Sequence, residues 1–243
     1  MRKKVLLFFL TFSVLAFTIN AEDNTGAENI SGFKPRLNGF IEYGYNYTWR
    51  SYCNIEASAN LPFNPYFDMD AVLHYSTADL YTLGADLRPK FPLPVGELYL
   101  ETKMIYRAIT RNQMQNLSAA LSLGYRHDHV RVQLGAYSIM LAEFDRNWHG
   151  NTEVFIEAPS LLYAIEVWVR PQANPWNINL RVSNYNDYSI ERVWQPLFAL
   201  GGRYDINEHV RVLAEAECKP TGMFHLDASF YGITARVGAS YKF

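Results

Sequence analysis

From residue 38 onward the chain alternates between apolar and polar positions. Over 38–49, Ile41, Tyr43, Tyr45, Tyr47 and Trp49 share one parity, and Glu42, Gly44, Asn46 and Thr48 take the other. Over 51–61, Cys53, Ile55, Ala57, Ala59 and Leu61 oppose Tyr52, Asn54, Glu56, Ser58 and Asn60. Over 66–75, Phe67, Met69, Ala71, Leu73 and Tyr75 oppose Asp68, Asp70, Val72 and His74. A period of two belongs to a strand with two unlike faces. Further strands are predicted over 79–88, 96–107, 115–126, 129–141, 160–170, 177–186, 192–204, 209–219 and 231–243. The pattern gives about twelve strands, within roughly ten to fourteen. Helical periodicity is poor throughout. Most prolines, such as Pro62, Pro65, Pro89 and Pro175, fall between segments, where a missing amide donor matters least; Pro196 falls inside one.

A sheet of this size has two exposed edges, and closure removes both. The connections support a closed meander. Those at 62–65, 89–95, 127–128, 171–176 and 205–208 are short and would share one rim. Those at 50, 76–78, 108–114, 142–159, 187–191 and 220–230 would share the other, which holds the longest loops. The polar face is heavily charged. Glu56, Asp68, Asp70, Glu101, Arg126, Arg131, Arg203 and Arg211 lie on it, as do Glu42, Asp86, Lys103, Glu166, Arg181, Glu215, Glu217 and Arg236. A water-soluble barrel puts its apolar side chains in the core. So charged a second face suits the reverse arrangement, with apolar residues toward lipid and charges toward a lumen. The segments are long enough for a tilted bilayer crossing, which takes about 9–11 residues. The expected fold is therefore all-β: a closed antiparallel transmembrane β-barrel.

Composition sharpens this picture. The start MRKKVLLFFLTFSVLAFTINAED has a basic end, an apolar run and small residues near Ala21, the pattern of a secretory signal peptide over 1–21. Residues 22–37 read as a flexible lead-in and 38–243 as the barrel. The net charge of −2 gives no footing for a nucleic acid partner. Cys53 and Cys218 fall on outward faces of early and late strands, which are not neighbours, and are expected to be free thiols.

The closing G-A-S-Y-K-F puts Phe243 on the same face as Tyr241, Ala239 and Val237. It resembles the C-terminal signature strand of bacterial outer-membrane β-barrel proteins. The resemblance covers 38–243 as architecture. It implies a place in the bacterial outer membrane and contact with its lipid or lipopolysaccharide. It also implies that the barrel assembly machinery reads the last strand through Tyr241 and Phe243. No subfamily is matched, so no active site is carried over.

Chemistry is sparse. His74 shares the inward face with Asp68 and Asp70, where a salted polar network is the simpler reading than a metal or acid–base site. His127, His129 and His209 sit by tight turns; His149 and His225 lie on outer loops. Ser118 and Ser122 face inward, and the H-x-S-N-G stretch of outer-membrane phospholipases is missing. No catalytic residue, cofactor or metal site is assigned, and an enzyme is the less favoured class. The connection EFDRNWHGNTEVFIEAPS is expected either to fold into the lumen, to cover the outer mouth, or to form a surface loop with a short strand at 153–156. Trp168, Tyr52 and Tyr99 are expected to point inward and narrow any passage. The favoured reading is a narrow channel for small polar solutes; a structural, adhesion or ligand-binding barrel and a membrane-embedded lipid-modifying enzyme are the alternatives. Early acids facing later arginines would either polarise the lumen or pair across it. Deleting residues 241–243 should impair barrel assembly more than export. Heat-modifiable gel mobility of the membrane fraction, set against periplasmic accumulation, measures the difference.

Overall fold

The computed structural model describes residues 34–46, 50–78, 80–109, 114–144, 152–171, 174–221 and 229–243. The expected leader and most of the lead-in fall outside these residues, as do Tyr47, Trp49, His149 and His225. The strands are β1 (Arg36–Asn46), β2 (Arg50–Asn64), β3 (Phe67–Ser76), β4 (Leu80–Pro92), β5 (Glu97–Ile109), β6 (Met114–Arg126) and β7 (Val130–Phe144). They continue as β8 (Thr152–Ile156), β9 (Ser160–Trp168), β10 (Trp176–Ser183), β11 (Leu197–Asp205), β12 (Val210–Thr221) and β13 (Ser229–Lys242).

All pair antiparallel, each chiefly with its sequence neighbours, and β1 pairs with β13 to close the ring. β8 and β9 share one place in it. Residues Met140–Phe144 of β7 pair with β8, and Val130–Tyr137 pair with β9. Among the described residues the thirteen strands therefore make a closed barrel of twelve positions. At the closing seam Ile41 lies opposite Val237, and Glu42 opposite Arg236. Parity carries across the seam, so one face stays apolar around the ring.

That face points outward. Ile41 and Val237 are each 62% exposed, and Leu121, Leu134, Ile165, Leu180 and Leu200 are exposed with them. So much contiguous apolar surface marks contact with lipid rather than water. Glu42, Glu56, Asp68, Asp86, Arg88, Glu101, Lys103 and Arg236 are buried inside. Apolar-out and polar-in is the arrangement of an outer-membrane barrel. Cys53 on β2 and Cys218 on β12 are free, with β1 and β13 between them.

Several boundaries differ from the alternation. β1 begins at Arg36, and β2 runs through Pro62 to Asn64, with a register shift between Pro62 and Asn64. A bulge lets the chain carry a proline there without breaking the ladder. The larger difference lies between β10 and β11. Strands were expected to continue over 184–186 and to resume at 192. Instead β10 stops at Ser183, β11 starts at Leu197, and the intervening chain leaves the wall for the lumen. The Asn184 carboxamide drives the departure. It accepts from the Tyr163 amide at 2.8 Å and donates to the Leu161 and Glu191 carbonyls at 2.9 and 3.1 Å. An asparagine side chain that takes over backbone partners in this way ends a strand. A lone bridge between Tyr185 and Ile190 folds the segment back on itself, and Pro196 brings no amide donor to resume pairing.

An arginine at Ile41, central in β1, should destabilise the barrel by about 2–4 kcal/mol, whereas Ile206→Arg in the β11–β12 turn should cost about 0–1 kcal/mol. Urea unfolding in lipid vesicles measures both. Equal effects at the two depths would contradict the lipid-facing assignment.

Candidate functional site: the lumen and its inward segment

Residues 184–191 reach into the barrel from one wall. Their anchor is apolar. Tyr185 and Ile190 pack with Ile105, Ala120, Tyr137, Leu162 and Ala164 in one buried cluster. These wall residues come from β5, β6, β7 and β9, which are adjacent. Burial of this kind supplies about 25 cal/mol per Å² of apolar surface toward the cost of ordering the segment, and the hydrogen bonds of Asn184 and Tyr185 add to it.

The tip crosses to other strands through polar and ring contacts. Tyr188 donates its hydroxyl to Glu42, 3.0 and 3.1 Å from the two carboxylate oxygens. Its ring stacks on His74 at 4.2 Å. Asp187 accepts from Arg236 at 3.2 Å, and Asn186 donates to Glu217 at 3.3 Å. A Cβ added at Gly84 would lie 3.2 Å from the Asp187 carbonyl oxygen, so β4 brings only backbone to that close approach.

Two ionic networks flank the segment. In the first, Arg88 meets Asp68 at 3.4 Å, Glu101 at 3.0 Å and also Asp70; Lys90 meets Asp68 as well. Lys103 binds Asp86 at 2.5 Å and lies 5.4 Å from the Tyr185 ring centre. Gln133 ties this network to the segment. Its amide oxygen accepts from Tyr185 at 2.6 Å and Tyr99 at 3.0 Å; its nitrogen donates to Glu101 and Ser122 at 2.8 and 2.6 Å. All four hydrogen-bonding sites of that carboxamide are used. In the second network, Arg236 meets Glu56, Asp187 and Glu215 at 3.2, 3.2 and 3.0 Å. Arg181 meets Glu215 and Glu217 at 3.3 and 3.5 Å.

The residues expected in the lumen all lie on inward positions, but not as two facing sets. Asp68, Asp70 and Glu101 pair with Arg88 on the strand next to theirs, and not with later arginines. Of the early acids, Glu56 pairs across the closing seam with Arg236, and Glu97 pairs with Arg126 on the adjacent strand. Arg131 approaches Glu166 at 3.7 Å. Arg126, Arg203 and Arg211 sit toward the short-turn rim. Arg126 binds Glu97 at 3.2 Å, Arg203 donates to the Asn174 carbonyl at 3.5 Å, and Arg211 pairs with Asp205. Tyr99 and Tyr52 point inward as expected, each laid over a glycine, Gly124 and Gly44, whose missing side chain makes room for the ring.

Alternation did not single out Arg88, Gln133, Asp187 or Tyr188. A signal for the anchor was present: apolar residues at inward positions on four adjacent strands, namely Ile105, Ala120, Tyr137, Leu162 and Ala164. Such a patch in a charged lumen calls for something apolar to cover it. The 142–159 connection does not supply that cover in its described part. Its β8 continues the wall, with Ile156 74% exposed, and residues 145–151 lie outside the described ones.

Beside the segment, toward the long-loop rim, lies a cavity of about 170 Å³. His74, Asn54, Arg107, Tyr52, Tyr188 and Tyr231 are among its walls. The turn histidines bond to backbone: His129 Nδ1 lies 3.2 Å from the Trp168 carbonyl oxygen, and His209 Nδ1 lies 2.8 Å from that of Lys242. Among the described residues no cluster of three or more His, Cys, Asp or Glu is placed to hold a metal.

The fold and its lumen define a class, the closed outer-membrane-type β-barrel, and solved structures agree. The chain is similar to the Acinetobacter baumannii outer membrane protein Omp33, with a TM-score of 0.51 and 13% identity over 87% of this chain and 98% of that one. It is similar to the KdgM porin in complex with disordered oligogalacturonate, with a TM-score of 0.53 and 11% identity over 86% and 99% of the two chains. It is also similar to the translocator domain of the autotransporter NalP from Neisseria meningitidis, with a TM-score of 0.52 and 13% identity over 99% and 98%. No protein-family model matches the chain, and no curated protein matches its sequence. The likeness is one of fold: porin and autotransporter barrels share it.

Replacing Arg236 with Met should destabilise the barrel by about 3–5 kcal/mol, because Glu56, Asp187 and Glu215 lose a shared buried partner. Adding Glu56→Gln should recover part of the loss. Unfolding midpoints of the single and double variants measure both steps.

Proposed function

We propose that this barrel is a narrow outer-membrane channel for small polar solutes and that residues 184–191 form its constriction. The observation that carries the reading is the uneven fastening of that segment. It is fixed to one wall by an apolar cluster and reaches the β1, β3 and β13 side through Tyr188–Glu42, Tyr188–His74 and Asp187–Arg236. Polar contacts can be exchanged for water, at a net cost of about 1.5–3 kcal/mol for each bond to a charged group, whereas the apolar anchor cannot. The passage therefore has one fixed side and one that water and solutes compete for. The porin-like architecture supports the reading at the level of fold.

Lipid and lipopolysaccharide are the proposed surroundings. The barrel assembly machinery is the proposed reader of β13, where Tyr241 is exposed and packs edge-on against Phe243 at 5.1 Å. The second reading, a structural, adhesion or ligand-binding barrel, draws on a specific observation: the inward segment runs from its apolar anchor on β5, β6, β7 and β9 to contacts on β1, β3 and β13, which suits a lumen kept shut. A lipid-modifying enzyme has less to draw on, since the His74 ring is occupied by Tyr188 and Ser122 is bonded to Gln133.

Planar-bilayer recording separates these readings. Folded wild-type protein should give small reproducible steps, Asp187→Ala with Tyr188→Ala should enlarge them severalfold, and Arg131→Glu should change their ion selectivity. Silent bilayers from wild type and the double variant alike, with both folded by heat-modifiable mobility, would establish the closed barrel instead.

A further inference from the structure

The cavity beside the segment collects groups that lack partners. His74 is 1% exposed, and neither ring nitrogen has a hydrogen-bond partner among the described residues. Asn54 is 3% exposed, and its Oδ1 is likewise unpartnered while its Nδ2 donates to Glu42. Arg107 has an unpartnered Nε, and its Nη1 lies 3.5 Å from Ser189 Oγ. All three residues line this one cavity. Buried polar groups left without partners are rare in folded proteins and call for an explanation, such as water or a ligand.

The chemistry of the walls restricts the occupant. Asn54 Oδ1 needs a donor, Arg107 Nε needs an acceptor, and a neutral imidazole needs one of each. Hydroxyl groups meet all these demands, because each both donates and accepts. A carboxylate meets only half of them and would set acceptor against acceptor at Asn54. The charged lining residues, Arg107, Lys219, Glu191 and Glu217, sum to zero; Lys219 is paired with Glu191, and Glu217 lies 3.5 Å from Arg181. Tyrosine side chains at 52, 188 and 231 add ring surface suited to the C–H faces of a saturated ring. A volume of about 170 Å³ is below the roughly 300 Å³ at which pockets for drug-sized ligands begin.

We infer that this cavity is a binding site for a small neutral polyhydroxylated solute, no larger than a single sugar ring. The inference deepens the channel reading by naming the class of solute held at the constriction, and it takes its biological meaning from that reading. Its location fits: Asn186, Tyr188 and Ser189 of the inward segment form one wall, so an occupant touches the constriction itself.

Isothermal titration of the folded full-length barrel in detergent, with D-glucose and sodium acetate as probes, tests it without requiring conduction. Glucose should bind at one site per barrel, and acetate should not compete. His74→Phe keeps a ring against Tyr188 but removes both nitrogens, and should weaken glucose about tenfold. Ala78→Trp, a change at the rim of the cavity, should abolish binding while heat-modifiable mobility stays normal; it carries the test if His74→Phe does not fold. Absence of glucose binding to folded wild type, displacement by acetate, or unchanged affinity in folded Ala78→Trp would overturn the site. Glucose binding with silent bilayers would overturn the channel and keep the site. Conduction without glucose binding would do the reverse.

Discussion

Everything in this structure follows from one constraint: hydrocarbon offers no hydrogen bonds. Each backbone amide and carbonyl in the bilayer must find its partner inside the protein, and a sheet achieves that only by closing on itself. Here closure depends on the pairing of β1 with β13, in a register from Arg36–Lys242 to Asn46–Gly232. The pairing also fixes parity. A slip of one residue would set Ile41 opposite Arg236 or Gly238, so that one of the two strands would turn its apolar face inward and carry its charge into lipid. The seam thus joins the backbone requirement to the side-chain one.

Closure at twelve positions creates the second requirement. Eight strands leave an interior that side chains just fill, and sixteen or more leave an aqueous channel. Twelve falls between. The inward segment occupies the difference. It does so in the manner of a small soluble core, with Tyr185 and Ile190 covering apolar residues on four neighbouring strands. Gln133 stands where this core meets the charged lumen, and it bonds to the segment through Tyr185 and to the ionic network through Glu101. Around it, charges are held in groups rather than pairs. Arg88 serves three carboxylates and Arg236 another three, which suits the planar guanidinium with its five donors.

The barrel was legible in the sequence because lipid imposes a strict period of two, and few residues satisfy both faces by accident. Ile41, Glu42, Leu121 and Ser122 each reveal their side through their chemistry alone. The inward segment was half legible: 187–191 reads as a connection, but Asn184, Tyr185 and Asn186 continue the alternation of the strand before them. What removes it from the wall is a competition that periodicity does not register: the Asn184 side chain satisfies backbone groups of β9 and of Glu191 better than a continuing ladder would. Ionic partners were illegible for a different reason. Parity gives a side chain's face but not its reach, so Arg88, at the end of its predicted strand, gave no sign that it would gather Asp68, Asp70 and Glu101. The unpartnered nitrogens of His74 become visible only once Tyr188 is seen to stack on the ring without bonding to it.

That stacking shows how the two halves of the lumen differ. On the anchored side the segment meets apolar side chains, and water gains nothing by entering between them. On the far side it meets His74, Glu42 and Arg236, each of which water solvates well. A displacement of the tip away from β1 and β13 therefore exchanges hydrogen bonds, while a displacement away from β5 and β6 exposes apolar surface and loses the Tyr185–Gln133 bond. The cheaper motion leaves the anchor in place and opens space beside β1, β3 and β13. The cavity containing His74 and Asn54 already lies on that side. In the proposed channel, a polar solute that entered it would replace, with its own hydroxyls, the contacts the tip gives up. On that proposal, occupancy and opening would be the same exchange of partners, seen first from the solute and then from the wall.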